Sequence, residues 1–179
     1  MSQLLKANPV VHLETSLGLI SLELWPEAAP LTVENFLTYV NEGFYNGLIF
    51  HRVVPMFMVQ GGGFEPNMVY RAPTHPTIKN EAANGQKNRR GTVAIARAYP
   101  INSAAAQFFI NVADNPQLDH KGPEPGEYGY AVFGRVKAGM HLVETMSTLP
   151  TETRAAHRDV PQDDILIKRA WVESSDEAG

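Results

Sequence analysis

Two stretches of this chain combine residue types that could do chemistry. Phe50-His51-Arg52-Val53-Val54-Pro55, with Phe57-Met58-Val59-Gln60-Gly61-Gly62-Gly63-Phe64 close behind, sets a cation, bulky apolar groups and an amide on two adjoining runs. Gln107-Phe108-Phe109-Ile110-Asn111 again places polar groups beside aromatics. Such mixtures suit a wet, partly apolar groove rather than a dry core. Arg52 and Gln60 lie an even number of residues apart, but Pro55 and Met56 interrupt the alternation, so spacing leaves open whether they share a face. His51 is turned by alternation to the side opposite Arg52, which fits a packing histidine better than a general base.

Other chemistries find no support. The chain has no cysteine, which removes disulfides, thiolate catalysis and Cys-based zinc sites. Its six histidines are scattered without a His-Glu-x-x-His pair, so no metal site is expected. Gly61-Gly62-Gly63 lacks the Lys-Ser/Thr that follows in a phosphate loop and reads as a turn or bulge. Ser103 and the other serines sit in no Gly-x-Ser-x-Gly elbow. Lys87-Asn88-Arg89-Arg90 is a short basic patch of the kind found on solvated loops. A net charge of -4, with 15 basic and 19 acidic side chains and no long block of one sign, argues against nucleic acid or a membrane as partner.

The elements that must position the candidate groups are mostly strands. Ile20, Leu22 and Leu24 alternate with Ser21 and Glu23 after a turn at Thr15 to Gly18. Further strand-forming runs are Val10 to Glu14, Leu48 to Val54, Phe57 to Gly61, Thr92 to Arg97, Gln107 to Val112, Tyr130 to Val136 and Ile165 to Val172. Val33, Phe36, Leu37 and Val40 keep helical period between Pro30 and Gly43, and Met140, Val143 and Met146 do so before Pro150. The expected fold is mainly β: a closed eight-stranded antiparallel β-barrel capped by two α-helices, in one domain over residues 1–179 with its core at about 10–173. The loops Phe64 to Gly91, Ala98 to Ala106 and Ala113 to Gly129 are long for a compact domain and are expected to surround a site.

In order and spacing these segments resemble the cyclophilins, a family of peptidyl-prolyl cis/trans isomerases. The resemblance runs from Val10 through Gly18 to Pro30, Glu34-Asn35-Phe36, Gly43-Phe44-Tyr45 and Phe50 to Phe64. It continues in Asn80-Glu81, Gly91 to Ala96, Gln107 to Ile110 and Val132-Phe133-Gly134. Asn111-Val112-Ala113-Asp114-Asn115 and Gly129 to Gly134 are similar to the bacterial branch. The resemblance implies that Arg52 is the catalytic cation and Gln60 its orienter and a substrate hydrogen-bond partner. Phe57, Met58, Phe109 and Leu118 would hold the substrate's proline ring, with Gln107 in the same binding surface. Tyr130 stands where many relatives carry His, and the backbone around Arg97, where many carry Asn, would bind the peptide. Two positions depart from the family: Gln117 replaces Trp or Phe, weakening one wall of the proline pocket, and Met56 replaces a frequent Gly.

The implied enzyme works without cofactor or metal on X-Pro bonds in peptides and unfolded chains, as a monomer that speeds folding and binds cyclosporin weakly. A noncatalytic proline-peptide-binding module is the rival, and the joint presence of Arg52 and Gln60 favours the enzyme. Met1 to Pro9 shows no apolar stretch with a cleavage site, so a cytoplasmic location is expected, or a periplasmic one had a signal been removed.

Overall fold

In a computed structural model of the chain, residues 7–174 are described. β1 (Val10–Thr15) and β2 (Gly18–Leu24) form an antiparallel pair and lead into helix α1 (Pro30–Asn41). β3 (Arg52–Val54) and β4 (Met58–Gly61) make a hairpin, followed by a small ribbon of β5 (Phe64–Glu65) and β6 (Val69–Tyr70). After a long loop come β7 (Thr92–Ile95), β8 (Phe108–Asn111), the one-turn helix α2 (Pro125–Tyr128) and β9 (Val132–Ala138). Helix α3 (Met140–Ser147), a second ribbon of β10 (Thr151–Arg154) and β11 (His157–Pro161), and β12 (Ile167–Val172) complete the chain.

The eight strands expected from the sequence build one antiparallel sheet in the order β12-β1-β2-β9-β7-β8-β4-β3. The sheet curls into a half-barrel and is not closed, contrary to the expectation. Its two ends meet just before β3 and at the start of β12, where Phe50 N–H donates to Ile165 O at 3.0 Å and Ile167 N–H donates to Leu48 O at 2.8 Å. The cause lies in β3, which is three residues long and offers no ladder for β12 to continue. β11 packs against it instead.

Alternation sorts the sheet into two faces. Val53, Val59, Val93, Ile95, Phe108, Ile110 and Phe133 face inward, where α1 adds Val33, Phe36 and Val40 and α3 adds Val143 and Met146. Phe36 meets Phe108 edge-on at 5.3 Å and Phe133 at 5.1 Å, so the first helix plugs the curl with an aromatic cluster. On the outer face a second cluster gathers Met58, Ala94, Phe109 and Val132 beneath Trp25, Phe57, Leu118 and Tyr130.

Helix α1 starts at Pro30 with no cap from Ala29. Its orphan donors are served from afar: the Glu81 carboxylate accepts from Thr32 N–H and Thr32 Oγ1, each at 2.7 Å, and from Leu31 N–H at 3.2 Å. Gly43, at φ 76, ends the helix in the left-handed conformation expected of it. Of the three extra elements, α2 and the β5–β6 ribbon lie in segments read as loops, and the β10–β11 ribbon lies in a stretch to which the sequence pattern assigns no element.

Candidate active site

The register places Arg52 opposite Gln60, Gln60 opposite Phe109, and Phe109 opposite Ala94, in one row across β3, β4, β8 and β7. The question left open by Pro55 and Met56 is thereby answered: Arg52 and Gln60 share the outer face. At the row's end a hollow of about 200 Å³ is lined by Arg52, Met58, Gln60, Phe109, Leu118 and Tyr130, together with Ala96 and Arg97. Its walls are apolar on the side of Met58, Phe109 and Leu118 and hydrogen-bonding on the side of Arg52 and Gln60.

The Arg52 side chain is exposed and makes no hydrogen bond or ion pair with any described residue. Its guanidinium carbon stands 6.0 Å from the centre of the Phe57 ring. Phe57 packs on the outer cluster without lining the hollow itself. Gln60 does not bond to Arg52. Its Nε2 donates to Gln107 Oε1 at 3.0 Å, which leaves its own carbonyl oxygen without a partner among the described residues. Gly63 makes this arrangement possible: a Cβ there would fall 2.5 Å from the Gln107 amide. Gln107 and Gln60 also line a neighbouring hollow of about 400 Å³ with Tyr70, Thr77 and Ser103.

Arg97 is engaged differently from Arg52. Its Nε donates to Gly129 O at 2.9 Å, its Nη1 to Tyr99 O at 2.9 Å and its Nη2 to Pro125 O at 2.7 Å, while the guanidinium lies 5.0 Å above the Tyr130 ring. The side chain clamps two loops together and orients Tyr130, which meets Phe109 edge-on at 5.6 Å. Gln117 is not in the hollow with Arg52. It lines a separate depression with Arg97, Tyr99, Pro125 and Tyr130, because the 3-10 turn Pro116–Leu118 points Leu118 at the hollow and Gln117 away from it.

Sequence reasoning missed the asparagines behind the walls. Asn88 Nδ2 donates to Leu118 O at 3.2 Å, Asn115 Nδ2 to Phe57 O at 2.9 Å and to Asn111 Oδ1 at 2.8 Å, and Asn111 Nδ2 to Asn88 Oδ1 at 3.0 Å. These buried amides satisfy one another and fix the backbone of Leu118, which lines the hollow, and of Phe57 beside it. Asn111 carried one sequence signal, being a polar residue between Ile110 and Val112 in an otherwise apolar run.

His51 points away from the hollow. It is 6% exposed, its ring lies 4.6 Å from that of Phe64, and its Nδ1 has no hydrogen-bond partner among the described residues. Burial, then the charges of His157 and Arg52, push its pKa down to about 4. A Ser-His-Glu set also meets on the outer face, with His12 Nδ1 2.8 Å from Ser21 Oγ and His12 Nε2 3.2 Å from Glu173 Oε1. Ser21 is 7% exposed in the middle of the sheet, between β1 and β9, whose ladders occupy the backbone donors an oxyanion would need.

The family described as cyclophilin type peptidyl-prolyl cis-trans isomerase/CLD matches residues 10–172. Peptidyl-prolyl cis-trans isomerase A of Dickeya dadantii is 51% identical over 162 residues, covering 90% of this chain and 83% of that protein. Isomerase B of Escherichia coli is 48% identical over 163 residues, covering 91% and 99%. A solved cyclophilin type isomerase of Cryptosporidium parvum, crystallised in the presence of the dipeptide Ala-Pro, superposes with a TM-score of 0.77 at 28% identity, covering 93% of this chain and 99% of that one. The chain belongs to the cyclophilin-type peptidyl-prolyl cis-trans isomerases, on their bacterial branch. It is an enzyme of proline isomerisation.

Proposed function

We propose that Arg52 accelerates rotation about X-Pro bonds by donating a hydrogen bond to the proline nitrogen in the twisted transition state. Conjugation holds the planar imide behind a barrier of about 18–20 kcal/mol, and unaided turnover takes tens to hundreds of seconds. At the twisted state conjugation is lost and the nitrogen carries a localised lone pair. A donor aimed there stabilises the twisted state more than either planar one, as catalysis requires. Five decades of rate correspond to about 7 kcal/mol, a sum shared between one charged donor and a pocket that holds the ring still.

The observation that carries this reading is the guanidinium of Arg52, which makes no hydrogen bond or ion pair with any described residue and lines the hollow together with Gln60 and Phe109 of its row. It needs to break no ion pair before it donates. The proline ring lies against Met58, Phe109 and Leu118, and the side-chain carbonyl of Gln60 accepts from the substrate backbone or from Arg52. The Ala-Pro dipeptide used with the Cryptosporidium parvum relative has the substrate chemistry this hollow suits. Proline-containing peptides and unfolded chains are the substrates, and cyclosporin binds weakly because Gln117 gives the outer depression less apolar area than an indole would.

Arg52→Ala is expected to lower kcat/KM on a proline tetrapeptide by at least tenfold, and Arg52→Lys nearly as far, since an ammonium lacks the planar fork. Nuclear magnetic resonance exchange or a protease-coupled assay measures it, with circular dichroism confirming the fold. A folded Arg52→Ala protein with the wild-type kcat/KM would show the mechanism to be wrong.

A further inference from the structure

We infer that Met56 is a specificity-determining residue, whose side chain receives an apolar residue of the substrate a few positions from the proline. The inference rests on the site reading above. Val54, Pro55, Met56 and Phe57 form the tight turn between β3 and β4, closed by Phe57 N–H donating to Val54 O at 3.1 Å. Met56 has φ 61. Proline at the first central position and a positive φ at the second are the demands of a type II turn, and the second position is ordinarily filled by glycine. A methionine there strains the backbone, since a Cβ crowds the neighbouring carbonyl.

Nothing in the free protein offsets that strain, because the Met56 side chain is 83% exposed. The other non-glycine residues with positive φ have local reasons. Asn67 and Asp159 carry the short polar side chains that tolerate it, Ala155 and Ala156 are small and form the tip of the second ribbon, and Met68 is buried with Ile49, Phe64 and Val160. Met56 combines a disfavoured backbone with an unburied large apolar side chain. Strain that persists without structural return points to function.

The turn is held beside the groove. Phe57, next in sequence, faces the Arg52 guanidinium, and its carbonyl accepts from Val112 N–H at 3.0 Å and from Asn115 Nδ2 at 2.9 Å. Met58 lines the hollow itself. A flexible, polarisable thioether at that edge adapts to apolar side chains of varied shape, which is what unfolded chains present.

The test is a set of nine-residue proline peptides carrying Leu or Ser at each of three positions on either side of the proline, with exchange rates read by nuclear magnetic resonance. For the wild type, Leu is expected to raise kcat/KM over Ser by about three- to tenfold at one or more positions. Met56→Gln, which keeps length and backbone strain, and Met56→Gly should both bring that ratio near one, while Met56→Leu preserves it. Met56→Gly should also raise Tm by about 2 °C through relief of strain. A Leu-to-Ser ratio unchanged in both the Gln and Gly variants, or no gain in Tm for Met56→Gly, would overturn the inference and leave the isomerase reading standing. A wild type that turns over none of the peptides would overturn both.

Discussion

Two neighbouring residues, Arg52 and His51, show how one strand serves two environments. Arg52 faces water beside the hollow, and His51, one step along, is sealed against Phe64 with a ring nitrogen that has no hydrogen-bond partner among the described residues. The histidine gives the fold a pH dependence whose sign follows from its lowered pKa. An unfolded histidine titrates near 6.5, and the folded His51 near about 4, lowered first by burial. Between these values the unfolded chain binds a proton that the folded chain refuses. The His51 contribution is therefore fully present above pH 6.5 and is lost as pH falls toward 4, by up to about 3 kcal/mol. Urea unfolding between pH 7.5 and 4.5 is expected to show this slope in the wild type and a shallower one in His51→Leu. An equal slope in the two proteins would assign the acid sensitivity to other groups. Activity measured between about pH 6 and 9 should give a nearly flat kcat/KM, because no proton transfer is proposed.

At the scale of elements, the site depends on side chains that fasten loops to the sheet. Asn80 Nδ2 donates to Gly129 O and Ile101 O, each at 3.1 Å, and Asn84 Nδ2 donates to Ala28 O and Val132 O, each at 3.1 Å. Gly129 O also receives Arg97, so the long loop before β7 and the loop after β8 are tied at one carbonyl. Glu81 carries the same loop to the start of α1, where it replaces the missing cap. Glu81→Ala is expected to destabilise the fold by about 1–2 kcal/mol, as loss of a helix cap does. Hydrogen exchange should quicken in the first turn of α1 before it quickens in β7 or β8. Uniform loss of protection, or no loss, would mean that the carboxylate is not acting as the cap.

On the scale of the molecule, the two ends of the chain hold the fold together although the chemistry sits elsewhere. β12 pairs with β1 from Val11↔Val172 to Thr15↔Ile167 and supplies Ile167 and Ala170 to the core. A chain ending before Ile167 keeps every candidate site residue but exposes β1 as an unpaired edge and opens the core. It is expected to show no cooperative thermal unfolding and no isomerase activity. Folded, active protein from that truncation would show that the half-barrel tolerates loss of an end strand.

Reading the sequence alone located all eight strands of the sheet and both longer helices, because these follow from local rules. A strand with one face buried must alternate, and a helix packed on a sheet must repeat its apolar residues about every three to four positions. The family resemblance, not periodicity, supplied the roles of Arg52, Phe109 and Leu118. What the tertiary structure alone decided lies across distances that leave no periodic trace. The pairing of Arg52 with Gln60 depended on a turn with Met56 at positive φ, and the incomplete closure depended on the shortness of β3. The turn at Pro116 sent Gln117 to the outer depression and not to the hollow with Arg52. Hydrogen bonds donated by Asn80 and Asn88 and accepted by Glu81 join residues 30 to 49 positions apart in the chain. One amide or carboxylate in a polar loop looks like any other until the fold brings its partner within reach.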